Sequence, residues 1–148
     1  PYRFKISGRT KHFINAFGEE VIVENAEKAV QIAAEKTHST ITNFTAAPVY
    51  FDGSKSKGAH EWVIEFKKLP EDQSEFVNLL DASLREINSD YDAKRYKDLA
   101  LTSPKVHFVI EGIFESWMRS RGKLGGQNKV PRLSNTREHI DEILKLIV

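Results

Sequence analysis

The residue of this chain whose type and surroundings best suit chemistry is Lys129. It follows Gly125 and Gly126 within residues 122–132, a stretch that glycines and Pro131 punctuate and that we predict to be a loop. A lysine on such a loop can carry its ammonium group into a reaction centre formed elsewhere. There it would stabilise the charge that builds on phosphate oxygens and on the departing pyrophosphate during phosphoryl or adenylyl transfer. Spacing alone favours an ordinary exposed lysine, so this chemistry needs support from another part of the sequence.

A second candidate lies near the start of the chain, at Lys11. Gly8 and Gly18 stand on either side of it, and glycine adopts backbone angles that are closed to other residues. A residue between a polar turn and the apolar Phe13 could absorb the change in backbone angles between two domain orientations. Taken alone, the same pattern fits a tight turn with no further role.

The charge of the chain is unevenly distributed. Its net value of +1 argues against a general binder of polyanions. The interval from residue 116 to residue 137 contains no acidic residue but six cationic ones, which are Arg119, Arg121, Lys123, Lys129, Arg132 and Arg137. Residues 71–92 reverse this balance, with seven carboxylates against Arg85. Two interpretations stay open: two solvated faces of opposite sign, or a basic segment that meets a phosphate-bearing ligand.

Composition excludes several other kinds of site. A chain of 148 residues suits one domain with a real hydrophobic core, and the absence of cysteine excludes disulfides, thiol chemistry and cysteine-based zinc sites. No phosphate-binding loop of the Gly-x-x-x-x-Gly-Lys-Ser/Thr type occurs. The five histidines lack zinc-ligand spacing, so we expect no metal site and assign them structural or surface roles.

Nothing in the sequence indicates a membrane or a secreted protein. No apolar run approaches the roughly 18–20 residues that cross a bilayer, and no signal-peptide pattern opens the chain. We therefore expect a cytoplasmic protein without a membrane partner. The chain opens directly on strand-like sequence, which is typical of a cut at a domain boundary.

The elements that must position these residues follow from hydrophobic periodicity. Alternation predicts strands at residues 2–6, 41–51, 61–66 and 106–110, with extended chain around a turn over residues 13–23. Helical spacing predicts helices at residues 25–37, 72–87, 91–99, 113–121 and from 135 onward. We therefore predict an α+β fold, in which helices pack on a mixed or antiparallel sheet of about four strands, with an N-terminal hinge hairpin at residues 1–23.

Individual residues predict where some elements begin. Asn25 is a good N-cap for the first long helix, Asp72 caps the second, and Asn135 with Glu138 opens the last. Pro48 predicts an edge position or a bulge within its strand, because proline cannot donate to a sheet. The last helix has a predicted buried stripe of Ile140, Ile143, Leu144 and Ile147.

Four segments, in order along the chain, carry a resemblance to a known family. They are GRTKHFINAFGEE at residues 8–20, NFTAAP at 43–48, HEWVIEF at 60–66 and KVPR at 129–132. They resemble the auxin-responsive promoter family, the acyl-acid amido synthetases, which belong with the acyl-adenylate-forming enzymes. The first segment is similar to the hinge signature at which the mobile C-terminal domain starts. The last is similar to the motif that carries the catalytic lysine of that domain.

This resemblance implies an architecture and a reaction. Residues 1–148 would be a single mobile C-terminal (lid) domain of a larger adenylating enzyme. An N-terminal adenylation domain of the same polypeptide would bind ATP with Mg²⁺ and an acyl acid, and would form an acyl-adenylate and pyrophosphate. An amine, often an amino acid, would then capture the acyl group as an amide. The resemblance assigns catalysis to Lys129, the hinge to Lys11, and nucleotide binding to Arg9 and Arg132.

An alternative interpretation is a stand-alone α+β binding module with RNA as its ligand. The basic stretch and the phenylalanine-rich strands permit it. However, core packing explains the aromatic alternation better, and no RNA-binding aromatic signature occurs. The sequence therefore argues against a nucleic-acid partner.

Overall fold

The computed structural model describes residues 13–51, 57–98, 100–121 and 130–147. The strand predicted at residues 2–6 lies outside these ranges. The described chain forms an N-terminal hairpin of β1 (Phe13–Ile14) and β2 (Val21–Ile22), three longer strands and five helices. The longer strands are β3 (Thr40–Tyr50), β4 (Gly58–Lys68) and β5 (Lys105–Ile110). The helices are α1 (Val23–Lys36), α2 (Gln73–Ile87), α3 (Ser89–Arg95), α4 (Ile113–Ser120) and α5 (Glu138–Ile147).

The main sheet is mixed, which is one of the two arrangements that the sequence predicts, and it has three strands within the described residues, against about four predicted. β3 and β4 form a long antiparallel hairpin with Phe44 opposite Ile64, and β5 runs parallel to β4 on its other side. β4 is therefore the central strand, and its residues 58–66 are buried without interruption. A strand buried on both faces needs cover on both faces, which the helices supply.

Two hydrophobic clusters separate the sheet from a helical layer on each side. One face packs against α1 and α2 through residues that include Ala29, Ala33, Phe76, Leu80 and Leu84. The other face packs against α4 and α5 through residues that include Phe114, Trp117, Ile140 and Ile143. The fold is thus α+β in three layers, and the predicted fold class is confirmed.

The structure corrects one predicted helix start and confirms another. The N-cap of α1 is Ile22, three residues before the predicted Asn25. Asn25 therefore lies in the first turn, where its side-chain oxygen accepts a hydrogen bond from the Ile22 N–H at 3.1 Å. Asn25 thus pairs the backbone N–H of the N-cap residue, Ile22, but it does so as the third residue of the helix and not as the N-cap itself. Asp72 is the N-cap of α2, as predicted, and accepts from the Glu75 N–H at 3.0 Å.

The last helix also differs from its prediction. α5 begins at Glu138, so Asn135 lies before it and makes contacts elsewhere in the fold. Ile140 and Ile143 are buried, but Ile147 is 38% exposed, so the buried stripe ends before the last turn. Pro48 does lie on the edge strand β3, as predicted, and remains in register with His60.

Among the described residues, no helix combines the length and the hydrophobicity that a bilayer crossing requires.

Candidate functional site

Of the four residues that the sequence assigns to a site, the structure describes one. Lys129, Lys11 and Arg9 lie outside the described residues, and Arg132 lies within them. The nearest described neighbours in the chain are Val130, directly after Lys129, and Phe13, two residues after Lys11. The geometry of the candidate site is therefore that of the segments to which the two lysines connect.

The chain that follows Lys129 is fixed along the outer edge of β3. We call residues 130–134 the anchor segment. Its carbonyl at Arg132 accepts from the Ala46 N–H at 3.0 Å, and its Ser134 N–H donates to the Ala46 carbonyl at 3.1 Å. The Thr45 hydroxyl donates to the Pro131 carbonyl at 2.6 Å. Edge backbone groups of β3 are thus paired.

Hydrophobic contacts reinforce this attachment on both faces of the sheet. Leu133 is fully buried in the cluster under α1 and α2, and Val130 is buried in the cluster under α4 and α5. A segment that inserts side chains into both cores cannot shift without exposing apolar surface. The residue next to Lys129 is therefore held firmly by the sheet.

Arg132 lies where the anchor segment meets α1. Its guanidinium carbon stands 4.5 Å from the centre of the Phe44 ring, and its NH1 lies 3.4 Å from a carboxylate oxygen of Glu27. It lines a cleft of about 380 Å³ between α1 and the start of β3. The Arg132 side chain remains 39% exposed, so a cation on an aromatic platform is open to solvent at the rim of this cleft.

A single amide links the anchor segment to the N-terminal hairpin. The Asn135 side-chain oxygen accepts from the Asn15 N–H at 2.8 Å, and its NH₂ group donates to the Phe13 carbonyl at 3.0 Å. The chain that follows the predicted hinge and the chain that follows the predicted catalytic lysine thus meet at one side chain. The sequence prediction treated Asn135 as a helix cap and missed this contact.

The start of α5 is fixed by a buried carboxylate, Glu61, on the central strand. Arg137 donates to it at 2.8 Å and to the Pro48 carbonyl at 3.0 Å. His107 Nε2 lies 2.6 Å from the same carboxylate, and Lys105 Nζ lies 3.7 Å away. Burial alone would raise the pKa of Glu61, but the hydrogen bonds from His107 and Arg137 and the nearby positive charges lower it below its ordinary value.

We expect Glu61→Gln to reduce the free energy of unfolding by about 1–3 kcal/mol at neutral pH, because it weakens charge-assisted hydrogen bonds to a buried group. The folded-state pKa of Glu61 lies below the ordinary value of 4.5. Its stabilisation is therefore complete above that pH and is lost as the pH falls through the folded-state pKa. Urea unfolding of both proteins at neutral and acidic pH measures the difference, which should narrow with acid.

Glu115→Gln is the matched control for this prediction. Glu115 pairs with Arg119 on the surface, where both side chains are 63% exposed, so its loss should change stability far less. A Glu61→Gln difference that stays constant between pH 7 and about pH 3 would contradict the assignment of the lowered pKa.

A second buried polar pair joins the N-terminal hairpin to the central strand. Glu19 Oε2 lies 2.6 Å from His60 Nε2, and both side chains are fully buried. Glu19 Oε1 accepts from the Phe17 N–H at 2.6 Å, within the same turn. The sequence assigned His60 a structural or surface role but gave no sign of its partner, which is 41 residues away.

The basic stretch is largely neutralised within the described part of the chain. Each of its four described arginines has a carboxylate partner: Arg119 with Glu115, Arg121 with Glu142, Arg132 with Glu27, and Arg137 with Glu61 and Asp141. These residues therefore do not form a continuous patch of free cations. The described ranges also contain no group of three or more His, Asp or Glu side chains placed to hold a metal ion.

Comparison with known proteins matches this chain to one family. A family model described as the GH3 family C-terminal domain matches residues 24–138, which is most of the chain. No curated protein matches the chain in sequence.

Two solved structures share the fold. One is a GH3.15 acyl acid amido synthetase, with a TM-score of 0.69 and 18% sequence identity over 91% of this chain. The other is AtGH3.15 acyl acid amido synthetase in complex with 2,4-DB, with a TM-score of 0.68 and 19% identity over 91% of this chain. In each case the alignment covers 25% of the solved chain, so the present sequence spans about a quarter of the length of these proteins.

Proposed function

This chain belongs to the GH3 family as its C-terminal domain, and we propose from that premise that it is the mobile domain of an ATP-dependent acyl-acid amido synthetase. The observation that carries the proposal is the family match over residues 24–138, in a chain a quarter as long as the solved synthetases whose fold it shares. The remaining domain would be an N-terminal adenylation domain of the same polypeptide. ATP, Mg²⁺ and the acyl acid would bind mainly to that domain.

The proposed reaction has two half-reactions. In the first, the carboxylate of the acyl acid attacks the α-phosphorus of ATP, and the bond to pyrophosphate breaks. In the second, an amine, such as that of an amino acid, attacks the acyl carbonyl, an amide bond forms and AMP leaves. Lys129 would stabilise the charge on the phosphates in the first step, because its ammonium group meets more negative charge in the transition state than in the ground state.

The two half-reactions need different groups at one site, so we propose that the domain rotates about Lys11 between them. Support comes from the contacts between the two segments that follow Lys11 and Lys129 in the chain. Asn135 joins the N-terminal hairpin to the anchor segment, and the anchor segment is fixed to β3. We call the predicted loop at residues 122–129, which carries Lys129, the lysine loop. A rotation at the hinge would therefore carry Val130, the residue that directly follows this loop, together with the rest of the domain. In this scheme Arg132 and Arg9 contact the nucleotide at the domain interface.

The direct test of the activity is pyrophosphate exchange by the full-length polypeptide. Labelled pyrophosphate should enter ATP only when a carboxylic acid substrate is present, and amide should form only when an amine is also added. A panel of aliphatic, aryl and indole acids samples the acid site. The proposed function would be overturned if pyrophosphate exchange were equally fast without any carboxylic acid, or if no acid of the panel supported it.

A hinge substitution tests the rotation. Lys11→Pro in the full-length protein fixes φ near −65° and removes one freedom that a rotation needs. We expect it to slow one half-reaction at least about tenfold more than the other, because each half-reaction uses its own orientation. Pyrophosphate exchange reports the first, and single-turnover amide formation from preformed acyl-adenylate reports the second. Equal slowing of both would argue against a hinge at this residue.

A stand-alone RNA-binding module is the alternative, and the paired arginines of the basic stretch weigh against it. Titration with RNA at two salt concentrations separates the two functions. Electrostatic binding to phosphates gives an affinity that falls steeply as salt rises. We expect weak binding with little specificity, and tight binding with a steep salt slope would favour the module.

A further inference from the structure

We propose that Glu19 and His60 are positioning residues, which lock the N-terminal hairpin to the central strand so that rotation at the hinge is transmitted to Lys129. This inference rests on the proposed function. The two side chains contact each other, with Glu19 in the turn of the hairpin and His60 on β4.

The burial of Glu19 is unusual for its place in the chain. Turns between strands normally lie on the surface and carry solvated polar side chains. The Glu19 carboxylate instead points inward and has no exposed surface. One of its oxygens contacts His60, and the other accepts a hydrogen bond from the Phe17 N–H. A buried carboxylate needs such partners to offset its loss of water, so the hairpin turn is held to β4 wherever this pair is intact.

The turn around Glu19 has a strained backbone. Gly18 has φ of +88° and Glu20 has φ of +43°, and the second value is costly for a residue with a side chain. Such a conformation persists only where surrounding contacts impose it. Here the Glu20 N–H donates to Asn15 at 3.1 Å, and Asn88 donates to the Glu20 carbonyl at 3.0 Å. The contacts therefore fix both the shape of the turn and its place on the domain.

The location of the pair gives this fixation a use. The N-terminal hairpin begins two residues after Lys11, and Asn135 joins it to the anchor segment that follows Lys129. If the hairpin moved freely against β4, rotation at the hinge would be absorbed in the hairpin. With Glu19 paired to His60, the same rotation moves the sheet, the anchor segment and the lysine loop together.

The test uses Glu19→Gln in the full-length protein, with Glu65→Gln as the matched control. Glu65 is another buried carboxylate on β4, but it caps the start of α4 through the Gly112 and Phe114 N–H groups. Hydrogen exchange measured by mass spectrometry reports local opening, and the ratio of the two half-reaction rates reports positioning. A purely structural loss lowers both half-reactions alike and leaves their ratio unchanged.

We expect Glu19→Gln to speed exchange across residues 13–22 at least about tenfold relative to β4, and to change the half-reaction ratio about tenfold, since small misplacements cost much in rate. Glu65→Gln should change neither. If Glu19→Gln does not fold, His60→Gln, which alters the other member of the pair, replaces it under the same criteria. This inference alone is overturned if the hairpin loosens but the ratio of half-reaction rates stays unchanged, or if hydrogen exchange speeds up equally throughout the domain. If the unaltered protein shows no pyrophosphate exchange that depends on a carboxylic acid substrate, the proposed function is overturned, and this inference with it.

Discussion

Lys129→Ala in the full-length polypeptide should lower the rate of acid-dependent pyrophosphate exchange by a factor of about 10²–10³. Removing one preorganised group that stabilises transition-state charge typically has an effect of this size. In the proposed mechanism, the ammonium group acts on charge that is larger in the transition state than in bound ATP. The rate constant should therefore fall much more than the apparent affinity for ATP. Initial rates of exchange at several ATP concentrations measure both quantities.

Lys123→Ala is the matched control, because Lys123 lies in the same glycine-rich stretch and has the same charge. The rate of pyrophosphate exchange by Lys123→Ala should stay within about twofold of the unaltered protein, since a charge that does not contact the phosphates acts only through long-range electrostatics that salt screens. A Lys129→Ala protein that retains a rate within twofold would remove Lys129 from the mechanism. The fold and the family assignment would be unaffected by that result.

Gly58→Ala should destabilise the domain severely, by roughly 3 kcal/mol or more. A Cβ atom at Gly58 would lie 2.0 Å from the Val49 carbonyl oxygen and 2.8 Å from the Phe17 ring. Gly58 also donates to the Ala100 carbonyl and accepts from the Thr102 N–H, both at 2.9 Å. The strand is thus enclosed on both sides, and an overlap with backbone cannot be relieved by a side-chain rotation. Thermal unfolding should begin roughly 10 °C lower.

Gly112→Ala separates this overlap from backbone strain. Gly112 has φ of +114°, but a Cβ atom there would have no atom within 4 Å. Its substitution should therefore cost only the strain of an unfavourable backbone angle, about 1–2 kcal/mol. Equal destabilisation by the two changes would contradict the assigned role of close packing at Gly58.

The sequence predicts most helices and strands of this fold because their periodicity is local. Phe76, Leu80 and Leu84 recur at helical spacing, and all three are buried on one face of α2. β4 is longer than predicted, since it begins at Gly58 and not near Glu61. Local rules assign a glycine after a polar loop to the turn. Gly58 belongs to the strand because it pairs with β3 and forms backbone hydrogen bonds with residues 100 and 102.

The candidate site is predicted less completely, because its contacts connect residues that are far apart in the chain. Glu19 follows a glycine in a turn, where local rules predict an exposed carboxylate. Its burial depends on His60, which no local pattern connects to it. Asn135 has the type and spacing of a helix cap, yet it binds Phe13 and Asn15, about 120 residues earlier. Such pairings emerge only when the tertiary fold brings the elements together.

In the function proposed above, this domain delivers Lys129 to the adenylation site of its own polypeptide and withdraws it again. The most direct measurement is a pair of crystal structures of the full-length protein, one with ATP and an unreactive acid analogue and one with an acyl-adenylate analogue and an amine. We expect the Lys129 ammonium nitrogen within about 2.7–3.5 Å of a phosphate oxygen in the first, and far from the nucleotide in the second. If Lys129 stays remote from the phosphates in both structures, with the domain in one orientation, then Lys129 is not delivered to the adenylation site and the proposed function is contradicted.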